Sequence, residues 1–354
     1  MGRQEWRGAV TPAVGLSKAR LWPIVERAVG EPVCDFAVSL ESEVEGEHYG
    51  FNADKLVPTF HYTTASRREG RVTVFAKLAH EAVDVSESEH YAAMAALGAP
   101  VPHCYGALPL SDADRREVIF LEHVRPVPDY RPYDRFVLDE PRFRQFIALT
   151  AHLDALVPAP DYASRLPRSS PHDVYGGTVG ACRERFQALW QDAEVGRLGD
   201  DLLALCSTNP VQRLDPLLER VVTLEFPPSD RIWHDCYEPC HTGWRRGTGE
   251  MLVLDLAPMS LGPRFANIGP WLGQPDEIQR RCRPAVELAE VYLASWSARG
   301  GEPVSLEQFE REARALWLCE AVWQMDLWRQ NVLAGERAYA GQLLNLVRWL
   351  ARET

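Results

Sequence analysis

The densest group of chemically capable side chains lies in residues 233–244, WHDCYEPCHTGW, where two histidines and two cysteines fall within eight positions: His234, Cys236, Cys240 and His241. Thiolate and imidazole groups are ligands that zinc prefers, and a thiol beside an imidazole is also a nucleophile with its base. The stretch therefore allows a zinc site, a thiol active site, or a loop whose buried Cys and His side chains are structural.

Spacing alone favours the structural interpretation. Four ligands within eight residues rarely converge on one centre, and zinc sites usually draw ligands from two separate segments. No second Cys/His cluster is obvious in the sequence, although an outside ligand would complete a site. A thiol nucleophile depends on geometry that sequence proximity does not establish, and nothing else in the chain resembles a cysteine hydrolase.

The charge and the apolar pattern of the chain limit the partners and the cellular compartment that we expect for it. The 354 residues carry 50 Asp and Glu against 38 Lys and Arg, a formal net charge of -12. That balance argues against a nucleic-acid partner, which would need clustered Lys and Arg. No apolar leader and no bilayer-length apolar run occur, and the eight cysteines are scattered through apolar stretches. We therefore expect a cytoplasmic protein with reduced thiols and no membrane partner.

The first third of the chain has the sequence pattern of a small sheet of short strands. Strand-like runs are VCDFAVSLESEV, TFHYTTAS, VTVFAKL and REVIFLEHV, with RREGR joining the second to the third as a hairpin. DVSESEHYAAMAALGAP predicts one helix, capped by Asp84 or Ser86 and ended by Gly98 and Pro100. The Pro-rich RPVPDYRPYD marks a connector, so we expect one domain over 1–125 and a second over 126–354.

The second domain is predicted to be mainly helical. Apolar residues recur at helical spacing in EPRFRQFIALTAHLDALV, GACRERFQALWQDAEVGRL and DPLLERVVTL, and three more helices are expected over about 276–298, 305–333 and 336–352. RIWHD and EMLVLDL read as short strands flanking the Cys/His loop. Four tryptophans at helical spacing (Trp190, Trp317, Trp323 and Trp328) are expected in the core rather than in a pocket.

This order of elements, with several local matches, resembles the aminoglycoside phosphotransferase family, a branch of the protein-kinase-like fold. The matches are VTVFAKL, ESEHYAAMAALGAPVP, VIFLEHV and EMLVLDLAPMSLGPRFANIG, and the similarity spans about residues 34–350. It implies an α+β fold of two lobes: a small antiparallel-sheet N-terminal lobe with one helix, and a large, mainly helical C-terminal lobe.

The resemblance also implies a nucleotide site. Lys77 takes the place of the strand lysine that contacts the α- and β-phosphates, with Glu89, or failing that Glu87, as its ion-pair partner. Asp255 takes the place of the aspartate that binds magnesium.

The base-binding side of that site follows from the hinge. The match at VIFLEHV implies that backbone groups of Glu122 and Val124 hold adenine. Phe75 shares a strand face with Lys77 and would stack on the base or fill the pocket. In EGEHYGFNADK, two glycines without the close spacing of a glycine-rich loop imply a loose cover over the triphosphate.

The Cys/His loop departs from the family pattern at its two chemical positions. The family's loop carries a His, a catalytic Asp and a magnesium-binding Asn. His234 matches the His, but Cys236 falls on the catalytic Asp and His241 on the Asn. Asp235, one residue early, would replace the Asp only in a reshaped loop, and a His at 241 suits a softer ion such as Mn²⁺ or Zn²⁺ better than Mg²⁺. Asp154, where many relatives carry a His, is a further mismatch that either supports the loop or has no role.

Two functions follow from the resemblance. The first is ATP-dependent phosphorylation, with Mg²⁺ or Mn²⁺, of a hydroxyl on a small molecule such as an antibiotic or aminoglycoside, or on a peptide. Here Lys77 and Glu89 organise the phosphates and Asp235 or Cys236 lies near the acceptor. The second is a pseudokinase that binds a protein or peptide partner without turnover.

Overall fold

A computed structural model of the chain describes residues 16–40, 53–79, 85–109, 116–127, 140–175, 179–226, 229–235, 237–273, 285–336 and 338–352. The chain forms two compact units, Met1–Asp129 with Glu238–Ala257, and Tyr130–Tyr237 with Pro258–Thr354. The first unit therefore includes a segment from late in the sequence, which the predicted division after residue 125 assigned to the helical domain. Local sequence pattern shows where helices replace strands. It does not show that a pair of strands late in the chain belongs to the first unit.

The first unit is built on an antiparallel sheet of short strands: β1 (Val33–Leu40), β2 (Ala53–Leu56), β3 (Pro58–Thr64), β4 (Glu69–Ala79), β5 (Cys104–Pro109) and β6 (Glu117–Glu122). In the described residues the order is β1-β3-β4-β6-β5, and β2 pairs with the end of β4. The predicted hairpin through RREGR is confirmed, because β3 and β4 pair from Thr63 opposite Glu69.

Alternation along β4 separates two chemically different faces of this sheet. Val74, Ala76 and Leu78 are buried in an apolar cluster with residues of helix α1 (Lys18–Val29). Phe75 and Lys77 point to the opposite face, because successive strand residues alternate. The apolar face anchors the sheet, so the other face is left for polar groups.

Helix α1 corrects the prediction of a single helix in this unit; the second is α2 (Glu87–Ala96). Ser17 caps the start of α1, and Gly30 ends it with a φ of 79°, a left-handed conformation that favours glycine. Both signals were present in the sequence. Pro23 within the helix argued against the assignment, since proline removes an interior hydrogen bond.

The two strands predicted around the Cys/His loop belong to different sheets. β8 (Arg231–His234) pairs with β11 (Met259–Gly262) in the second unit. In the first unit β9 (Thr242–Trp244) pairs with β10 (Met251–Val253) and with β7 (Arg125–Pro126). The loop therefore leaves one unit and enters the other, instead of forming a single β-loop-β insert.

Helices dominate the second unit: α3 (Glu140–Ala155), α4 (Pro160–Ala163), α5 (Pro171–Tyr175), α6 (Val179–Glu194), α7 (Asp200–Thr208), α8 (Asp215–Val222), α9 (Gly269–Leu272), α10 (Ala285–Ala298), α11 (Leu306–Leu333) and α12 (Ala338–Arg352). Trp190, Trp317 and Trp328 are buried as predicted, whereas Trp323 is 38% exposed. Residues 276–284 of the predicted α10 lie outside the described residues. No helix in the described part of the chain is long and apolar enough to cross a bilayer.

Candidate functional site

Lys77 is the centre of a charged cluster in the first unit. Its ammonium Nζ lies 2.7 Å from Glu87 Oε2 and donates a hydrogen bond to the carboxylate of Asp255. The side chains of Lys77 and Glu87 are only 8% and 4% exposed, whereas that of Asp255 keeps 31% exposure. Strand β4, helix α2 and the end of β10 thus bring together residues separated by as many as 178 positions.

Lys77 and Asp255 hold each other in the ionised state. Burial alone would lower the pKa of Lys77, but Glu87 and Asp255 outweigh it and raise that pKa. Burial likewise opposes ionisation of Asp255, yet Lys77, His241 and Lys55 hold its pKa well below the usual range. Burial raises the pKa of Glu87 despite the pairing with Lys77. Lys77 therefore remains an ammonium group at neutral pH.

Asp255 is held in an unusual backbone conformation. Its φ is 57°, in the left-handed region that non-glycine residues rarely adopt. Its N–H donates to the Tyr91 hydroxyl at 3.1 Å, and the preceding Leu254 N–H donates to the His241 carbonyl at 2.8 Å. Strained backbone of this kind concentrates at functional sites, where the surrounding contacts fix it.

The prediction that Glu89 is the ion-pair partner of Lys77 is wrong. Glu89 accepts a hydrogen bond from the Ser86 N–H at 3.0 Å while Ser86 Oγ accepts one from the Glu89 N–H, which forms a capping box. Glu87, the alternative considered from the sequence, makes the pair. The pattern Ser-x-x-Glu at 86–89 was the sequence signal that assigns Glu89 to the helix cap. Asp84, the other candidate cap residue, lies outside the described residues.

Lys55 was not identified from the sequence as a functional residue. It lies on β2 directly opposite Lys77 on β4, so both side chains project from the same sheet face. It interacts electrostatically with Asp255, Glu87 and Cys240, and burial lowers its pKa to about 8. The register of β2 was the missing information, because EGEHYGFNADK contains no periodic pattern that sets it.

The hinge residues lie where β6 ends. The N–H of Glu122 donates to the His103 carbonyl at 2.8 Å, and its carboxylate accepts hydrogen bonds from Arg245 Nε at 3.0 and 3.2 Å. Val124 follows and is 8% exposed. The Glu122 side chain and the Glu122 N–H are thus both engaged within the first unit. Phe75, on the face of Lys77, is partly buried.

The Cys/His loop has its second half in the first unit. The Cys240 thiol Sγ lies 3.5 Å from Glu238 Oε2, and the partly buried His241 acts electrostatically on Asp255. Cys236 lies outside the described residues. Within the described ranges no three His, Cys, Asp or Glu side chains are grouped as metal ligands. The zinc interpretation thus gains no support from the part of the loop that can be described.

The first half of the loop is fixed by a buried polar network in the second unit. The His234 N–H donates to Asn267 Oδ1 at 2.8 Å, and Asn267 Nδ2 donates to Asp154 Oδ1 at 2.7 Å. The Tyr292 hydroxyl donates to Asp154 Oδ2 at 2.8 Å. Asp154 is fully buried, and burial raises its pKa to about 7. Asp154 therefore supports the loop through Asn267, which sequence reasoning did not single out.

Asp235 is the residue with a carboxylate side chain in the first half of the Cys/His loop. Its N–H donates to the Pro258 carbonyl at 3.0 Å, and Ser260 Oγ donates to its carboxylate at 2.7 Å. Burial raises the pKa of Asp235 above its ordinary value, against the lowering effect of Ser260. A carboxylate with a raised pKa is a stronger proton acceptor once ionised.

Comparison with solved structures places the architecture among phosphotransferases. No family model and no curated protein matches the sequence. Spectinomycin phosphotransferase in complex with ADP and spectinomycin has a TM-score of 0.56 at 10% identity, covering 96% of this chain and 99% of that one. Amicoumacin kinase in complex with AMP-PNP and Ca²⁺ has a TM-score of 0.49 at 11% identity over 99% and 96%. Macrolide 2'-phosphotransferase from Brachybacterium faecium has 0.47 at 17% over 92% and 98%.

The similarity to spectinomycin phosphotransferase supports an α+β, protein-kinase-like fold class, as predicted from the sequence. More particularly, the chain has the fold of the aminoglycoside phosphotransferases. At 10% identity the similarity establishes the fold, and the chemistry has to be argued from the side chains.

Proposed function

We propose that the chain is a kinase-like phosphotransferase that uses ATP to phosphorylate a hydroxyl on a small molecule, such as an antibiotic or aminoglycoside, or on a peptide. The observation that carries the proposal is the pairing of Lys77 with both Glu87 and Asp255 on one sheet face. An ammonium group and a metal-binding carboxylate held together are the parts that phosphoryl transfer needs for positioning and charge stabilisation.

Each residue of the cluster has a distinct role in this proposal. Lys77 holds the α- and β-phosphates, and Glu87 fixes the direction of the lysine side chain. Backbone groups of Glu122 and Val124 hold the base, with Phe75 beside it. When bound, the nucleotide supplies the γ-phosphoryl group that the acceptor oxygen takes, and ADP leaves with the electrons of the broken bond.

Asp255 fits a divalent cation. Magnesium is usually held by one or two carboxylates together with substrate phosphates, and the Asp255 carboxylate is partly exposed on a rigidly held backbone. His241 is electrostatically coupled to Asp255 and offers a nitrogen ligand, which suits Mn²⁺ better than Mg²⁺. We propose Asp255 as the metal ligand, with His241 as the residue that favours Mn²⁺.

Asp235 is proposed as the acceptor of the hydroxyl proton. Cys236 occupies the position of the family's catalytic aspartate, and a thiol is a weak base unless a neighbour lowers its pKa. His234 is proposed to position the loop, since its peptide group is fixed by Asn267. The replaced aspartate favours a second candidate function, a pseudokinase that binds a protein or peptide partner without turnover.

Nucleotide binding and turnover test the proposal together. ATP with Mg²⁺ or Mn²⁺ at about 100 times its Kd is expected to stabilise the protein by about 2.7 kcal/mol, which raises Tm by a few degrees. Lys77→Ala and Asp255→Ala should lose that rise. ADP release with a panel of hydroxyl acceptors separates the enzyme from the pseudokinase, because only the enzyme consumes ATP. No thermal shift with any nucleotide would refute the phosphotransferase and favour the pseudokinase scaffold.

The assignment of Glu87 gives a separate prediction. Glu87→Gln is expected to weaken ATP binding about tenfold, because Lys77 loses the charge that orients it. Glu89→Gln, a matched change two residues along the same helix, should leave ATP affinity within twofold, because Glu89 contributes to the helix cap. Isothermal titration calorimetry with ATP measures both. Equal losses in the two variants would contradict the assignment of Glu87.

A further inference from the structure

We infer that Lys55 is a second phosphate-binding residue that contacts the terminal phosphates of the nucleotide. The inference rests on the proposed function, since it concerns the same nucleotide site. Strand β2 would then supply a cationic side chain to the phosphates, in a chain whose sequence lacks a regular glycine-rich loop to cover them.

The position of Lys55 follows from the strand register. The residue pairs are Lys55 with Lys77 and Leu56 with Ala76, so Lys55 and Lys77 are direct cross-strand neighbours on one face. Directly opposite residues in an antiparallel pair have Cβ atoms about 4.5–5.5 Å apart. Like charges directly opposite each other are destabilising, and here Glu87 and Asp255 act electrostatically on both lysines. The cluster therefore places two ammonium groups within reach of one polyanion.

The charge balance of the cluster requires the second lysine. Lys77 alone faces two carboxylates, Glu87 and Asp255, and such a site would carry a net negative charge. Lys55 makes the four-residue cluster neutral, and a divalent cation on Asp255 makes it positive. With Lys55 the metal-loaded site presents the full charge of the metal to a triphosphate, whereas without Lys55 one unit of that charge would be cancelled.

The use of lysine elsewhere in the chain supports the same conclusion. Of 38 Lys and Arg residues, only three are lysines: Lys18, Lys55 and Lys77. Arginine serves nearly every other cationic position, and Lys18 is an exposed surface residue paired with Asp35. A compact ammonium group binds phosphate as a point charge in a space where a planar guanidinium is harder to fit.

Nucleotide titrations of lysine variants test the inference. By calorimetry, Lys55→Met is expected to reduce ATP affinity at least tenfold and AMP affinity less than twofold, because AMP lacks the terminal phosphates. Lys55→Arg should lose less ATP affinity than Lys55→Met, because it keeps the positive charge and alters only the fit of the cationic group. Lys18→Met is the matched control and should bind like the unaltered protein.

Amine labelling of the unaltered protein gives a readout that does not depend on a variant folding. With three lysines, mass spectrometry after acetylation reports each one, and ATP with Mn²⁺ should protect Lys55 and Lys77 at least fivefold but not Lys18. Protection of Lys77 alone, with unchanged ATP affinity in Lys55→Met, would overturn the inference and leave the proposed function standing. Absence of ATP binding and of protection at both lysines would refute the proposed function and this inference with it.

Discussion

Replacing Lys77 with Met is expected to lower the free energy of unfolding by about 3 kcal/mol, because removing one partner of a buried ion pair leaves an uncompensated charge. Glu87 is 4% exposed and would remain beside Asp255 without the ammonium that pairs with both carboxylates. Urea denaturation followed by circular dichroism measures the loss.

A second substitution identifies the origin of that loss. In the double variant Lys77→Met/Glu87→Gln the buried negative charge is removed with its partner, so about half of the lost stability should return. Lys18→Met makes the same chemical change at an exposed pair with Asp35 and should leave the denaturation midpoint unchanged. A Lys77→Met variant as stable as the Lys18→Met control would show that the carboxylates do not depend on Lys77.

The stability of the second unit is expected to fall as pH rises from about 4 to about 7, because of Asp154. Its pKa is about 7 in the folded protein against an ordinary value of 3.8. Between those values the folded state binds the proton and the unfolded state does not, so stability decreases with pH. Below pH 3.8 the contribution is fully present, and above pH 7 it is lost. The difference corresponds to about 4 kcal/mol.

Asp154→Asn isolates this contribution from other titrating groups. The amide keeps the size of the side chain and cannot ionise, so the variant should gain stability relative to the unaltered protein as pH rises from 4 to 7. Urea denaturation at several pH values measures the difference. Asp161→Asn, at an exposed aspartate, serves as the control and should run parallel to the unaltered protein. Parallel curves for Asp154→Asn as well would contradict the buried, proton-binding state of Asp154.

Local pattern was sufficient for much of the first unit. The alternation of Val74, Ala76 and Leu78 with Phe75 and Lys77 encodes a strand with one apolar and one polar face. Turn residues in RREGR encode the hairpin. These features depend on neighbouring residues, so a single sequence carries them. The family resemblance likewise implied that Lys77 and Asp255 belong to one nucleotide site.

Identifying the acidic partner of Lys77 required knowing which face of helix α2 points toward the lysine. Glu87 and Glu89 are two residues apart, and a helix turns about 200° between them, so only one can face Lys77. Ser86 decides the phase, because its cap fixes where the helix begins. The capping pattern was visible in the sequence, but its consequence for the ion pair required the position of α2 against β4.

By itself the sequence determined the strand-to-helix order, the strand bearing Lys77, and the altered chemistry of the Cys/His loop. Only the tertiary structure decided that Lys55 lies opposite Lys77, that Asn267 and Asp154 fix the peptide group of His234, and that the loop divides between two units. The physical reason is distance along the chain. Periodicity and capping arise among residues a few positions apart, whereas Asp154 and Asn267 are separated by 113 positions and meet only through packing.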